Sequence, residues 1–125
     1  DLYRSINLQE EWGRLYKIEA KIPQAGLAII GDTNGKEELI SKVLAEYDKS
    51  LAWYKNNKEE ASKLVVKTLP MLEEKGLADS IEHVRFENIN AINSKKDLEF
   101  FFDILMQNDS KLIGGKLPNE DFYYK

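Results

Sequence analysis

The chemistry-bearing residues of this 125-residue chain are few and widely spaced. Its single histidine, His83, stands in Ser80-Ile81-Glu82-His83-Val84-Arg85, where no activated nucleophile or second metal ligand can be assigned to it. A surface or capping histidine accounts for that context. Carboxylates come in pairs, at Glu10-Glu11, Glu37-Glu38, Glu59-Glu60 and Glu73-Glu74. Three of the pairs fall near expected helix starts, where negative charge complements the helix dipole, and this explains them without acid–base catalysis.

Gly31-Asp32-Thr33-Asn34-Gly35-Lys36 has the look of two ligand loops. A phosphate-binding loop needs four residues between its glycines and a Ser or Thr after the Lys. Here three residues separate the glycines and Glu37 follows Lys36, so the loop is too short and lacks the hydroxyl that would ligate Mg²⁺. Read from Asp32 as a calcium loop, the fifth, sixth and twelfth positions are Lys36, Glu37 and Lys42, where an oxygen ligand, Gly and Glu are required. A turn leading into a helix fits both failures. There are no cysteines, which excludes disulfides, thiol nucleophiles, zinc–thiolate sites and iron–sulfur clusters. No catalytic residue, metal site or cofactor is assigned.

The elements around these residues follow from periodicity. Leu2 to Leu8 alternates loosely as a short strand, and Gln9 to Lys17 is a short helix with Trp12, Leu15 and Tyr16 on one face. Ile22-Pro23 breaks it, because a residue before Pro is pushed toward extended geometry. Ala25 to Ile30 is a continuous apolar run, which suits a strand buried on both faces in a helix-covered sheet. From Asn34, with Glu37 as a capping-box partner, a long helix carries Ile40, Val43, Leu44, Tyr47, Leu51 and Tyr54 in one stripe. Asn57 with Glu60 caps a second, carrying Ala61, Leu64 and Val65. Pro70 opens a third, short helix ending at Lys75-Gly76, and Leu77 to Val84 is a fourth. Phe86 to Ile92 is extended or irregular, and Ser94 with Asp97 starts the last helix, carrying Leu98, Phe101, Phe102 and Leu105. Gly114 to Pro118 is a loop before the tail Asp121-Phe122-Tyr123-Tyr124, whose three aromatics should dock on a surface.

Composition adds exclusions. A hydrophobic share of 42% with 10% aromatics supplies enough apolar surface to fold. A net charge of −4 argues against a generic nucleic-acid binder. No apolar run approaches the ~20 residues of a membrane span. The chain opens at Asp1 with neither an initiator Met nor a signal peptide, so a processed product or an excised piece is expected.

Four stretches carry a family resemblance: Leu8-Gln9-Glu10-Glu11-Trp12; Ile22-Pro23-Gln24-Ala25-Gly26-Leu27; Leu51-Ala52-Trp53-Tyr54-Lys55-Asn56-Asn57-Lys58-Glu59-Glu60-Ala61; and Ile113-Gly114-Gly115-Lys116-Leu117-Pro118-Asn119-Glu120-Asp121-Phe122-Tyr123-Tyr124. In that order they resemble the C-terminal part of ABC-transporter substrate-binding proteins of the nitrate/sulfonate/taurine and thiamine-precursor group, and the Gly-Gly-Lys-Leu-Pro…Phe-Tyr-Tyr ending is the most specific piece. The resemblance implies an α/β class: the helix-rich C-terminal portion of a two-lobed, periplasmic-binding-protein-like type II fold, with one buried crossover strand and about five helices. Residues 1–20 would end the second lobe, 21–32 would be the crossover and hinge strand, and 33–125 would complete the first lobe with helices and the aromatic tail.

The implied function is non-enzymatic capture of a small polar or anionic organic solute between two lobes, for delivery to the membrane permease of an ABC importer. The implied location is extracytoplasmic, periplasmic or on a lipoprotein anchor, with the signal and anchor outside this chain. The expected ligand-contacting residues are Pro23, Gln24, Ala25 and Gly26, where Gln24 offers donors and acceptors and Gly26 admits a close backbone approach. Trp12 is the candidate for stacking on a ligand ring. An orphan strand in an isolated piece would pair with a second copy through Ala25–Ile30, and Ile29→Lys would disrupt that association. Two other readings stay open: a helical protein-interaction module with no small ligand, and a small enzyme using His83 with a carboxylate.

Overall fold

In a computed structural model of the chain, residues 5–124 are described. Five α-helices follow in order: α1 (Leu8–Tyr16), α2 (Glu37–Asn56), α3 (Lys58–Thr68), α4 (Glu74–His83) and α5 (Ala91–Asn108), with 3₁₀ turns at Ser110–Ile113 and Glu120–Phe122. There is no strand among the described residues. The expected α/β class, with its buried crossover strand, is therefore corrected to all-helical. A strand exists through its hydrogen-bonded partner, and Ala25–Ile30 finds none. It runs without regular structure, with Leu27, Ile29 and Ile30 exposed at 59%, 43% and 95%. The expected strand over Leu2–Leu8 lies partly outside the described residues. Of its remainder, Ser5–Asn7 is irregular and Leu8 already begins α1.

The chain divides into two compact units, one built from the residues up to Ala28 together with those from Ile89 onward, the other from Ile29 to Asn88. In the first, the Asn7 side chain caps α1 by accepting from the Gln9 and Glu10 N–H groups. The helix ends where Lys17 takes a left-handed conformation (φ 56°) and donates its N–H to the Gly13 carbonyl. Helix α5 starts at Ala91, earlier than the expected Ser94, because Asn90 caps it by accepting from the Ile92 N–H at 2.9 Å. The Ser94 hydroxyl instead donates back to the Asn90 carbonyl, as a serine inside a first turn does.

Aromatic rings join α1 to α5. Trp12 lies 4.6 Å from Tyr16 and 5.8 Å from both Phe100 and Phe101, and Tyr16 meets Phe100 edge-on at 5.2 Å. Edge-to-face pairs of this kind add to the burial of their rings. The tail docks on the same unit: Phe122 approaches Phe102 at 6.3 Å and Tyr123 is 2% exposed, while Phe122 itself remains 58% exposed.

The second unit is held by α3 against α4. Ala61 and Ser62 are buried on α3 and Ile81 on α4. Small residues on one helix let the backbones come close, and the Ser62 hydroxyl is satisfied by its own helix, donating to the Lys58 carbonyl at 2.6 Å. An ion pair between Lys58 and Glu82 ties the same two helices. Helix α2 buries none of its residues, and of its expected stripe Val43 and Tyr47 are exposed. Tyr54 meets Phe86 edge-on at 5.4 Å, while Lys55 Nζ donates to the Phe86 carbonyl and Asn88 to Asp48.

Other local expectations differ from the structure. No helix spans Pro70 to Gly76: Leu69–Leu72 closes as a turn, with the Leu72 N–H on the Leu69 carbonyl at 3.1 Å, and Gly76 lies inside α4. Asn34 does not cap α2, since Lys36 holds the cap position with no side-chain bond. Asn57 does not cap α3 by its side chain, which donates instead to the Trp53 carbonyl at 2.9 Å.

Candidate ligand-contacting segment

The segment carrying Pro23, Gln24, Ala25 and Gly26 is anchored at its foot and exposed along its length. Its foot is Lys21, whose ammonium pairs with Asp97 on α5 at 2.9 Å and with Glu19 at 3.1 Å. Hydrogen bonds to Asp97 and then to Glu19 hold this lysine above its ordinary pKa. Ile22 and Pro23 are half-buried beside it, and from Gln24 onward every residue to Ile30 is exposed. From Ile22 to Gly31 no residue carries an ionisable side chain. The polar chemistry of the segment is therefore the Gln24 amide together with backbone N–H and C=O groups. A Cβ placed on Gly26 would meet nothing within 4 Å, so no neighbouring part of the described chain requires a glycine there.

Trp12 stands on α1 with its indole engaged by the rings of Tyr16, Phe100 and Phe101. That is a packing role, and the structure does not bring Trp12 and Gln24 together through any common partner. Lys21 carries no signal of this role in the sequence. Its contact with Asp97 is tertiary, and neither residue falls in a spacing that announces the other.

The residues considered for chemistry are committed elsewhere. His83 Nε2 lies 3.6 Å from Asp79 Oδ1, one helical turn away on the exposed face of α4. Glu10 and Glu11, Glu37 and Glu38, and Glu59 and Glu60 occupy the first turns of α1, α2 and α3. In the Gly31–Lys36 loop, Asp32 Oδ1 accepts from the Asn34 N–H at 3.0 Å, and Lys36 Nζ folds back to donate to the Asp32 carbonyl at 2.7 Å. Both charged groups are thus engaged in closing the turn. Among the described residues no three His, Cys, Asp or Glu side chains gather into a group that could hold a metal ion. No described helix is long and apolar enough to cross a membrane. Comparison with protein-family models, with curated proteins and with solved structures finds no match to this chain.

Proposed function

We propose that the chain is the C-terminal part of the solute-binding component of an ABC importer, and that Pro23–Gly26 contributes to the contact with a small polar or anionic organic solute. The observation that carries this reading is the segment 24–30 itself. It is an exposed, uncharged run, fixed at one end by the Lys21–Asp97 pair, with a side-chain amide at its start. An amide and free backbone groups can satisfy the oxygens of a sulfonate or nitrate, or the ring nitrogens of a pyrimidine. The order of the four family-like stretches supplies the transport context: capture outside the cytoplasm, no chemical conversion, and delivery to a permease. Trp12, already surrounded by rings, is left out of the contact set. Titration calorimetry on the full-length protein, with nitrate, taurine and an aminopyrimidine as probes, tests this. One of the three should bind, and Gln24→Ala should weaken it with little change in melting temperature. Binding unaffected by Gln24→Ala removes the segment from the site, and no heat with any probe removes the solute class.

A second reading has its own observation. Leu39, Val43 and Tyr47 follow one another at helical spacing along α2 and are exposed at 61%, 56% and 42%. Such a row suits a helical interaction module with no small ligand. The isolated chain also offers Ala25–Ile30, within the first segment, for association with a second copy. Sedimentation of the 125-residue chain over a concentration series separates these readings: a concentration-dependent dimer abolished by Ile30→Lys points to the segment, and one abolished by Val43→Lys points to α2.

A further inference from the structure

Beyond Asn108 the chain does not simply trail away. Asp109 caps a 3₁₀ turn by accepting from the Lys111 N–H at 3.0 Å. Gly114 and Gly115 then reverse direction with φ of 75° and 88°, their N–H groups donating to the Lys111 and Ser110 carbonyls. Both φ values lie where a side chain is strained, so this pair of glycines is a built corner. After it, Leu117 and Pro118 are half-buried, and a second 3₁₀ turn delivers Tyr123 onto α5.

Two side chains of α5 hold Tyr123 in place. Its hydroxyl donates to Glu99 Oε1 at 3.4 Å. Lys95 Nζ stands 5.2 Å from the centre of its ring, and the same ammonium pairs with Glu120 one turn earlier in the tail and with Glu99 at 3.8 Å. One lysine on α5 therefore grips the tail at two points, a carboxylate and an aromatic face. Between Asp109 and the seated tyrosine, Gly114, Gly115, Lys116, Asn119 and Asp121 are all exposed. The attachment is concentrated at the far end, with a corner of two glycines at the near end.

We infer that residues 116–124 form a strap, hinged at Gly114-Gly115 and latched on α5 by Tyr123 and Lys95, that opens and closes as a unit while α1 and α5 remain packed. Opening uncovers a seat on α5 made by Lys95 and Glu99, which holds the Tyr123 ring and hydroxyl, with Phe102 beside it against Phe122. The contacts of Phe100 with Trp12 and Tyr16 that join α1 to α5 do not touch the tail, so the strap can leave without dissolving the unit.

Hydrogen exchange read by mass spectrometry on the full chain, with trypsin cleavage after Lys116 as a second readout, tests this. Tyr123→Ala should raise exchange at Phe122 and cleavage after Lys116 by about tenfold or more, the behaviour of a sub-global opening, while α1 and α5 amides keep their protection. Lys95→Met, which removes the charge without emptying a buried space, should give a smaller rise confined to the same residues. Unchanged exchange in Tyr123→Ala overturns the inference, as does a loss shared equally by α1 and α5. If Tyr123→Ala does not fold, Lys95→Met decides: a rise confined to the strap supports the latch, and no rise or a chain-wide one refutes it.

Discussion

Gly13 lies against Ala20 so closely that a Cβ on Gly13 would stand 2.9 Å from the Ala20 Cα. The chain doubles back after α1 because Lys17 turns left-handed and both Lys17 and Ile18 direct their N–H groups to the Gly13 carbonyl. Gly13→Ala sets two effects against each other. A helical interior gains about 1 kcal/mol from the change, and overpacking against backbone costs about 1–3 kcal/mol. The second wins, because the obstructing atom is main chain and cannot rotate away. Urea unfolding should show a net loss of stability, and hydrogen exchange should place it at residues 17–21.

In the second unit, Ile81 is the large apolar side chain between α3 and α4 and is 9% exposed. Ile81→Ala should destabilise by about 2–4 kcal/mol, the cost of a truncated core isoleucine. The fall in the urea midpoint should come with lost amide protection in α3 and α4.

Tyr123 supplies a pH dependence. Burial first, and the Glu99 carboxylate next, push its phenol above the ordinary tyrosine value. The neutral form is thus the one that docks. Its contribution is complete below the unfolded pKa of about 10 and is lost as pH rises through the higher folded value. Absorbance titration at alkaline pH should show a late-ionising tyrosine component, and Tyr123→Phe should remove it. A titration curve whose late part is unchanged by Tyr123→Phe would contradict the seating of the ring.

Ile30 is 95% exposed, so Ile30→Lys should leave the melting temperature of the dilute chain within the small range of surface substitutions, about 0.5 kcal/mol. Dye binding to exposed apolar surface should fall. A lowered melting temperature would mean that the segment is covered in solution.

The helices were readable where their signals are local. Trp12, Leu15 and Tyr16 mark α1, and the stripe from Ile40 to Tyr54 marks α2, because spacings of three and four need no knowledge of a partner. Ala25–Ile30 departs from its expected strand for the opposite reason. An apolar run of six states a preference for burial, and whether it becomes a strand depends on a neighbour that composition does not name. Asn57 has the sequence signature of a cap because Glu60 follows it. The backbone ladder runs through it, however: its N–H reaches the Trp53 carbonyl and its carbonyl receives the Ala61 N–H, leaving little of a free helix end to cap. Pro70 suits a first helical turn by its sequence, and Gly76 the end of that helix. The turn at Leu69–Leu72 absorbs the proline, and α4 carries the glycine in its interior. Of the candidate ligand segment, the uncharged run and the Gln24 amide were visible in the sequence, whereas its anchor at Lys21–Asp97 was not.

The first unit is assembled from two stretches far apart in the chain, and the loop leaving its first stretch contains no lysine, arginine or carboxylate between Lys21 and Asp32. Proteases that read charge have nothing to cut there, while one that reads exposed aliphatic side chains is offered Leu27, Ile29 and Ile30. A nick at those bonds breaks the covalent path from α1 to the rest of the molecule, yet the rings of Trp12 and Tyr16 against Phe100 and the Lys21–Asp97 pair remain. The severed N-terminal peptide can thus stay bound as a non-covalent complement, and the protein can be divided at this loop into two pieces that are mixed and recombined.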